Sequence, residues 1–204
     1  MEQKKNVGER FDKLIDEHGP GSVKALDYGS VWSQRIRFEL IKQAWPFDKG
    51  GTLLDIGCGF ADLFSFLAPP LTRFKYWGID SSEKAIEHVH ATTPLSVDWG
   101  NWPDVQLSRR SYDVVVMNGL LYLYPEREAR LMIQKAWQAT RGVLIFDCLS
   151  TYAPKKNPNE YYYNPIEILD LVTWYTTYVT LKHDMADHFF MVFAYKKRRD
   201  QNES

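Results

Sequence analysis

The stretch that decides the fold is LLDIGCGFADL, residues 53–63. Its first four residues predict a short buried strand, and a Gly-x-Gly turn at Gly57 and Gly59 follows. Glycine allows positive φ and lets a ligand approach the backbone closely. A strand that runs through such a turn into a helix is typical of nucleotide-binding α/β proteins.

Strands and helices alternate along the chain after this turn, which favours a doubly wound α/β sheet. The residues between the last two predicted strands, 184–188, are too few for a crossover helix, so that pair predicts an antiparallel hairpin. Residues 148–164 follow the fifth strand and are long for a loop, which favours a binding loop. The predicted strands are 52–56, 74–79, 95–97, 112–117, 142–146, 178–182 and 189–195.

Two amphipathic helices are predicted within residues 9–45, separated by Gly19-Pro20-Gly21. A length of 204 residues favours a single domain over residues 1–204. We expect residues 1–49 to form an N-terminal helical lid, residues 50–195 the α/β core, and residues 196–204 a polar tail.

Composition excludes several classes of protein. The 25 basic and 26 acidic residues give a net charge of −1, which argues against a generally basic nucleic-acid binder. We find no apolar run long enough for a signal peptide or a membrane span, so no membrane association is expected. Two cysteines, Cys58 and Cys148, indicate neither a disulfide framework nor a zinc site, and the reducing cytoplasm is the expected compartment. His88 and His90 do not share a helix face, so no metal site is expected.

Acidic residues end the strands that follow the turn. Asp80 lies 23 positions after Gly57, where a carboxylate accepts hydrogen bonds from ribose hydroxyls. Asp98 ends the third strand and precedes Trp99, which together suit an adenine amino group and ring. Asp62 at the start of the next helix would repel a phosphate. These residues favour a sulfonium nucleoside over a dinucleotide.

This ordered set resembles the motifs of class I S-adenosylmethionine-dependent methyltransferases over roughly residues 50–195, in a small bacterial-type member. The resemblance implies a Rossmann-like seven-stranded mixed sheet with helices on both faces and a C-terminal antiparallel β-hairpin. One departure is Ala61, where many members have a third glycine. The segments that carry the resemblance are Leu-Asp-Ile-Gly-Cys-Gly at 54–59, Ile79-Asp80, Asp98-Trp99 and Tyr112-Asp113-Val114-Val115.

The resemblance implies S-adenosyl-L-methionine (SAM) as cofactor and S-adenosyl-L-homocysteine (SAH) as product. Asp55 would support the turn or the cofactor's amino group, and Arg37, with Arg35 as the alternative, would hold its carboxylate. The other implied cofactor-binding residues are Gly57, Cys58, Gly59, Asp80, Ser81, Asp98, Trp99 and Asn118.

The acceptor is expected beyond the C-terminal ends of the strands. Tyr122 and His183, the latter beside Asp184, are the candidate catalytic residues, and His183 has the alternative of a structural residue at a strand end. The tyrosines at 161–163 have the alternative of anchoring their loop. The candidate substrate-binding residues are Tyr28, Trp32, Tyr124, Tyr161 and Tyr162.

The sequence favours methyl transfer to an oxygen or nitrogen of a small molecule. Methylation of a nucleic acid or protein is an alternative, supported by Lys155, Lys156 and the basic residues 196–199. A SAM-binding protein without transfer activity is another alternative. A nicotinamide enzyme is disfavoured by the turn.

Overall fold

Seven strands form one sheet in the computed structural model of the protein, which describes residues 7–67, 73–107 and 111–197. The strand order is β3-β2-β1-β4-β5-β7-β6, and only β7 runs antiparallel to its neighbours β5 and β6. The predicted mixed sheet and C-terminal hairpin are therefore confirmed. The strands are β1 (Gly51–Ile56), β2 (Phe74–Asp80), β3 (Ser96–Trp99), β4 (Tyr112–Met117), β5 (Thr140–Leu149), β6 (Val179–Lys182) and β7 (Phe189–Tyr195).

Helices cover both faces of the sheet, because side chains alternate along each buried strand. In β4, Val114 and Val116 pack toward α2, α3 and α4, whereas Val115 and Met117 pack toward α5 and α6. In the described part of the chain no helix has the length and apolarity that crossing a bilayer requires. The helices are α1 (Val7–His18), α2 (Val31–Lys42), α3 (Asp62–Leu67), α4 (Glu83–Thr92), α5 (Glu126–Ala139) and α6 (Pro165–Thr173).

The structure differs from the sequence expectation after β4. Strand β5 extends to Leu149, so the first two residues of the predicted loop 148–164 pair with β7 instead. Helix α6 was not predicted, although it carries start signals: Pro165 is its first residue, and the Asn164 side chain accepts a hydrogen bond from the backbone N–H of Ile166. Residues 1–6 of the predicted lid and 198–204 of the predicted tail lie outside the described residues.

Strand β1 pairs with β2 on one side and with β4 on the other, so the chain connections leave it in opposite directions. Such a reversal opens a crevice at the carboxyl ends of the strands, where ligands bind in doubly wound folds. The residues that end β1, β2 and β4 therefore meet at one edge of the sheet.

Helix α1 lies across this edge. Val7, Phe11 and Ile15 line the crevice, and polar contacts of neighbouring residues hold the helix in place. The Asp12 carboxylate accepts hydrogen bonds from Ser82 Oγ at 2.6 Å and from the backbone N–H of Lys84 at 3.2 Å. Two further ion pairs join Lys84 to Asp16 and Arg10 to Asp27. The helix thus closes the crevice from one side.

Gly142 lies where β5 packs closely against Trp45 of the N-terminal segment. A Cβ at this position would lie 2.4 Å from the backbone oxygen of Asp113 and 2.4 Å from the ring of Trp45. We therefore expect Gly142→Ala to lower the free energy of unfolding by about 1–3 kcal/mol, the usual effect of overpacking. Gly29→Ala is the matched control, since a Cβ there meets nothing within 4 Å. Urea denaturation of both variants measures the difference, and equal midpoints would contradict the packing.

Candidate active site

The turn after β1 is bound to the end of β2. The backbone N–H groups of Gly57 and Cys58 donate to the carbonyl of Ile79 at 2.8 and 3.1 Å, and that of Gly59 donates to Asp80 Oδ2 at 2.8 Å. Both glycines have positive φ, 79° and 51°, a conformation that other residues adopt only with strain. Because these amides are engaged within the protein, the turn does not offer them to a phosphate.

A first cleft lies at this edge of the sheet, beneath α1. Three carboxylates line it, those of Asp55, Asp62 and Asp80, and among the described lining residues there is no lysine, arginine or histidine. Burial raises the pKa of Asp55 to about 7, and it also raises the pKa values of Asp62 and Asp80. Carboxylates away from water and without a cation favour a positively charged ligand.

Two buried polar atoms in the lining residues of the first cleft have no hydrogen-bond partner among residues 7–67, 73–107 and 111–197. They are the indole Nε1 of Trp102 and the amide Oδ1 of Asn118. The first is a donor and the second an acceptor, so a ligand with both functions would satisfy them. Trp102 was not among the predicted residues; its only signal was its position shortly after a strand that ends at the crevice.

A second cleft adjoins the first. Leu26, Tyr28, Gly119 and Leu120 line both clefts, so the two spaces adjoin at these residues. The Tyr28 hydroxyl accepts a hydrogen bond from Asn118 Nδ2 at 2.6 Å, which places this hydroxyl beside the first cleft. The other aromatic residues of the second cleft are Trp32, Tyr122 and Tyr162.

A buried ion pair lines the second cleft. Arg37 Nε donates to Asp147 Oδ2 at 2.9 Å, and both side chains are 5% exposed. The backbone N–H of Gly119 donates to the other oxygen of Asp147 at 2.6 Å, and the Arg37 guanidinium lies 3.6 Å from the ring centre of Phe189. Arg37, expected at the cofactor carboxylate, is therefore held in the second cleft. Arg35, the alternative, is exposed on α2 and lines neither cleft.

Most of the predicted cofactor residues line the first cleft together, but Asp98 and Trp99 do not. Asp98 accepts a hydrogen bond from Trp77 Nε1 at 2.8 Å, and Trp99 Nε1 donates to the backbone oxygen of Ser81 at 3.0 Å. The Trp99 ring is 65% exposed. The predicted cofactor-binding residues that line the first cleft are Asp55, Gly57, Cys58, Gly59, Asp80, Ser81 and Asn118.

The tyrosines predicted at the acceptor site do not all line the same cleft. Tyr124 lines the first cleft instead of the second, and Tyr161 lines neither. The backbone N–H of Tyr161 donates to the carbonyl of Tyr122. The Tyr122 hydroxyl donates to Asp27 at 2.9 Å, and burial raises its pKa far above the ordinary value. It therefore stays neutral at physiological pH, which does not suit a general base.

His183 lies away from both clefts. Its ring stacks on Tyr152 at 6.2 Å between centres and meets Phe190 edge-on at 5.8 Å. Its Nε2 is buried without a partner among the described residues, and no hydrogen bond joins it to Asp184. The predicted base therefore lines neither cleft.

A family model described as a methyltransferase domain matches residues 54–144, which include the turn, Asp80 and Asn118. This match supports a class I S-adenosylmethionine-dependent methyltransferase. Ala61, where the family often has glycine, adopts the same left-handed region, with φ 59°.

The methyltransferase resembles both a curated protein and solved structures. It is 27% identical over 110 residues to a "tRNA U34 carboxymethyltransferase" of Desulfotalea psychrophila, covering 51% of this chain and 34% of that protein. The chain therefore spans about a third of the length of this curated relative.

Two solved structures show the same fold. A SAM-dependent methyltransferase of Leishmania major superposes with a TM-score of 0.71 at 13% identity, covering 95% of this chain and 82% of the other. The magnesium protoporphyrin IX methyltransferase of Synechocystis PCC 6803, crystallised with bound SAH, superposes with a TM-score of 0.63 at 16% identity, covering 95% and 96%.

The first cleft of the methyltransferase fits SAM by its chemistry. The sulfonium and amino groups are cationic, and the cleft supplies three carboxylates without a competing cation among its described lining residues. The unpartnered Trp102 Nε1 and Asn118 Oδ1 are a donor and an acceptor for further polar atoms of the cofactor. One thiol, that of Cys58, also lines the cleft; it is buried, and burial raises its pKa well above the ordinary value.

The raised pKa of Asp55 predicts that SAM binding releases protons. Below pH 7 this carboxyl is largely protonated in the free protein, and a cationic ligand lowers its pKa by favouring the charged form. Affinity for SAM should therefore fall as the pH is lowered from 8 to about 5.5, and calorimetry at about pH 6 in buffers of different ionisation enthalpy should show proton release. Asp55→Asn should remove the release, whereas the exposed control Asp48→Asn should keep it. Proton uptake, or release unchanged in Asp55→Asn, would contradict the assignment.

Proposed function

We propose that the protein transfers the methyl group of SAM, bound in the first cleft, to an oxygen or nitrogen atom of a small molecule bound in the second. The observation that carries this proposal is that the two clefts adjoin at Tyr28, Gly119 and Leu120, which line both of them. Methyl transfer requires the acceptor atom, the methyl carbon and the sulfur in line, so donor and acceptor must enter adjoining spaces from opposite sides.

The residues of the first cleft would hold the cofactor. Asp80 would accept hydrogen bonds from the ribose while it fixes the Gly59 amide, and Asp55 would face the cationic amino acid part. Gly57 and Gly59 would hold the turn beside the nucleoside, in positive-φ conformations that favour glycine. Asp98 and Trp99, whose side chains are engaged with Trp77 and Ser81, would support the adenine region only from outside.

When bound, SAM supplies a methyl group on a positively charged sulfur. The protein contributes alignment of the reactants and the exclusion of water, which together lower the activation barrier by several kcal/mol. Helix α1 closes the first cleft, and the neutral Tyr28 hydroxyl, whose pKa burial raises, is available to donate a hydrogen bond at the boundary.

The acceptor residues in this proposal are Tyr28, Trp32 and Tyr162, whose rings line the second cleft. Tyr122 would position the acceptor through its contact with Asp27 instead of removing a proton. Aromatic walls with a few polar groups are typical of sites for small organic molecules. His183 and Tyr161, which line neither cleft, receive no role at the reacting atoms.

The alternative acceptor is RNA, which the name of the Desulfotalea psychrophila relative suggests. Exposed Lys155 lines the second cleft, and Lys156 follows it. The near-zero net charge of −1 argues for the small molecule. Formation of SAH, measured on a panel of small phenols, acids and amines and on unmodified tRNA, separates the two: turnover on tRNA alone would overturn the small-molecule proposal, and SAM binding without turnover on either would favour a non-catalytic SAM-binding protein.

Trp32 provides a test of the second cleft. Its ring is 55% exposed at the rim, so Trp32→Ala should leave the fold intact and remove one wall of the acceptor site. We expect the KM for an active acceptor to rise about fivefold or more, because one aromatic contact contributes about 0.5–1.5 kcal/mol beyond area burial. SAH affinity should not change. Trp174→Ala is the matched control, since Trp174 is 83% exposed and lines neither cleft; equal effects of the two variants would refute the acceptor role.

Asp80→Asn tests the first cleft. The amide keeps the shape of the side chain but loses the charge and one acceptor oxygen, so SAM affinity should weaken by about 1–3 kcal/mol. Calorimetric titration with SAM measures this change, with Asp48→Asn as control and thermal melting as the check on folding. Unchanged affinity in a folded Asp80→Asn protein would remove Asp80 from the cofactor site.

A further inference from the structure

The guanidinium of Arg37 has two N–H groups left over. An arginine side chain carries five N–H donors in a rigid plane. Three of them are used: Nε bonds to Asp147, and Nη1 bonds to the backbone oxygen and the Oγ of Ser33 at 2.7 and 2.6 Å. Nη2 donates to no atom of the described residues, although Arg37 is only 4% exposed. Nη2 is not among the buried polar atoms of the described residues that lack a partner, so it is accessible from the cleft that Arg37 lines and can bind a partner from outside the chain.

The orientation of this free edge is fixed. The ring of Phe189 lies 3.6 Å from the guanidinium, Ser33 holds one side and Asp147 another. Arg37 also lines the second cleft, so the ligand that fills that space lies against this side chain. A rigid guanidinium edge binds paired oxygens better than a flexible lysine does.

The charged groups of the second cleft differ in how far they are engaged. Its carboxylates already have partners: Asp147 has Arg37 and Gly119, Asp27 has Arg10 and Tyr122, and Glu160 accepts from the Tyr162 hydroxyl at 2.6 Å. His188, which also lines this cleft, contacts Asp187 through Nδ1 at 3.3 Å. Three other side chains of the lining keep donors without a partner among the described residues. They are Arg37 Nη2, the Lys155 ammonium and the Tyr28 O–H, since Tyr28 uses its oxygen as an acceptor from Asn118.

From this asymmetry we infer that the methyl acceptor is an organic acid, whose carboxylate binds Arg37 Nη2 while its aromatic or apolar body lies among the tyrosines and Trp32. The inference rests on the proposed function, because it names the substrate class of the same site. A monoanion suits the cleft better than a phosphate dianion does, because Asp147 already balances the charge of Arg37 and Glu160 lies in the same lining. Arg37 is then a specificity-determining residue for the acceptor.

Benzoate and its neutral isostere benzamide are suitable probes. We expect the SAH-loaded protein to bind benzoate at least tenfold more tightly than benzamide in ligand-observed NMR titrations, a difference equivalent to about 1.4 kcal/mol. In Arg37→Lys, which keeps the positive charge beside Asp147 but lacks the planar edge, the preference should shrink to less than threefold. Arg127→Lys, an exposed arginine on α5 outside both clefts, should keep the full preference.

The outcomes separate the inference from the function on which it rests. Failure of the wild-type protein to bind SAH would overturn the proposed function. SAH binding with equal affinity for benzoate and benzamide would overturn the inference alone, and this measurement needs no variant.

The cofactor also carries a carboxylate, which is the other candidate partner of Arg37 Nη2. If Arg37→Lys weakens SAH binding about tenfold but does not weaken binding of the decarboxylated analogue of SAH, Arg37 serves the cofactor and the inference is wrong. If SAH affinity is unchanged and the preference for benzoate is lost, the acceptor is the source of the carboxylate.

Discussion

The attachment of the β1 turn to the end of β2 is the constraint on which the site depends. Asp80 ends β2 and binds the amide of Gly59 with one oxygen and that of Ser82 with the other, at 2.8 Å each. One carboxylate thereby fixes the glycine turn and the start of α4 together. Since the turn amides point into this arrangement, the crevice is bounded by carboxylates and not by free N–H groups. In dinucleotide-binding folds the same turn offers free N–H groups to pyrophosphate, so that crevice attracts an anion instead of a cation.

Much of this arrangement could be predicted from the sequence, because it depends on local patterns. Apolar runs ending in Gly57, Asp80 and Asn118 predict buried strands, and parallel topology brings their carboxyl ends to one edge. Strands β4 and β7 match the predicted bounds for the same reason. The residues around the crevice follow from the order of the strands and need no knowledge of distant contacts.

The features of the site that could not be predicted from the sequence depend on contacts between residues far apart along the chain. Arg37 faces the second cleft because Asp147, 110 positions later, pairs with it. Asp98 and Trp99 bond to Trp77 and Ser81, which strand register brings beside them and which no spacing rule indicates. His183 was placed at the reacting atoms only by its position at a strand end; its aromatic neighbours Tyr152 and Phe190 come from other parts of the chain.

Cys58 carries a nucleophilic side chain close to the proposed cofactor site. Its sulfur lies in the turn that lines the first cleft, beside the space assigned to an alkylating cofactor. Only the thiolate attacks carbon readily, and burial together with the neighbouring Asp80 and Asp55 holds the pKa of this thiol well above its usual range. The same acidic surroundings that favour a sulfonium ion therefore disfavour the thiolate form of Cys58.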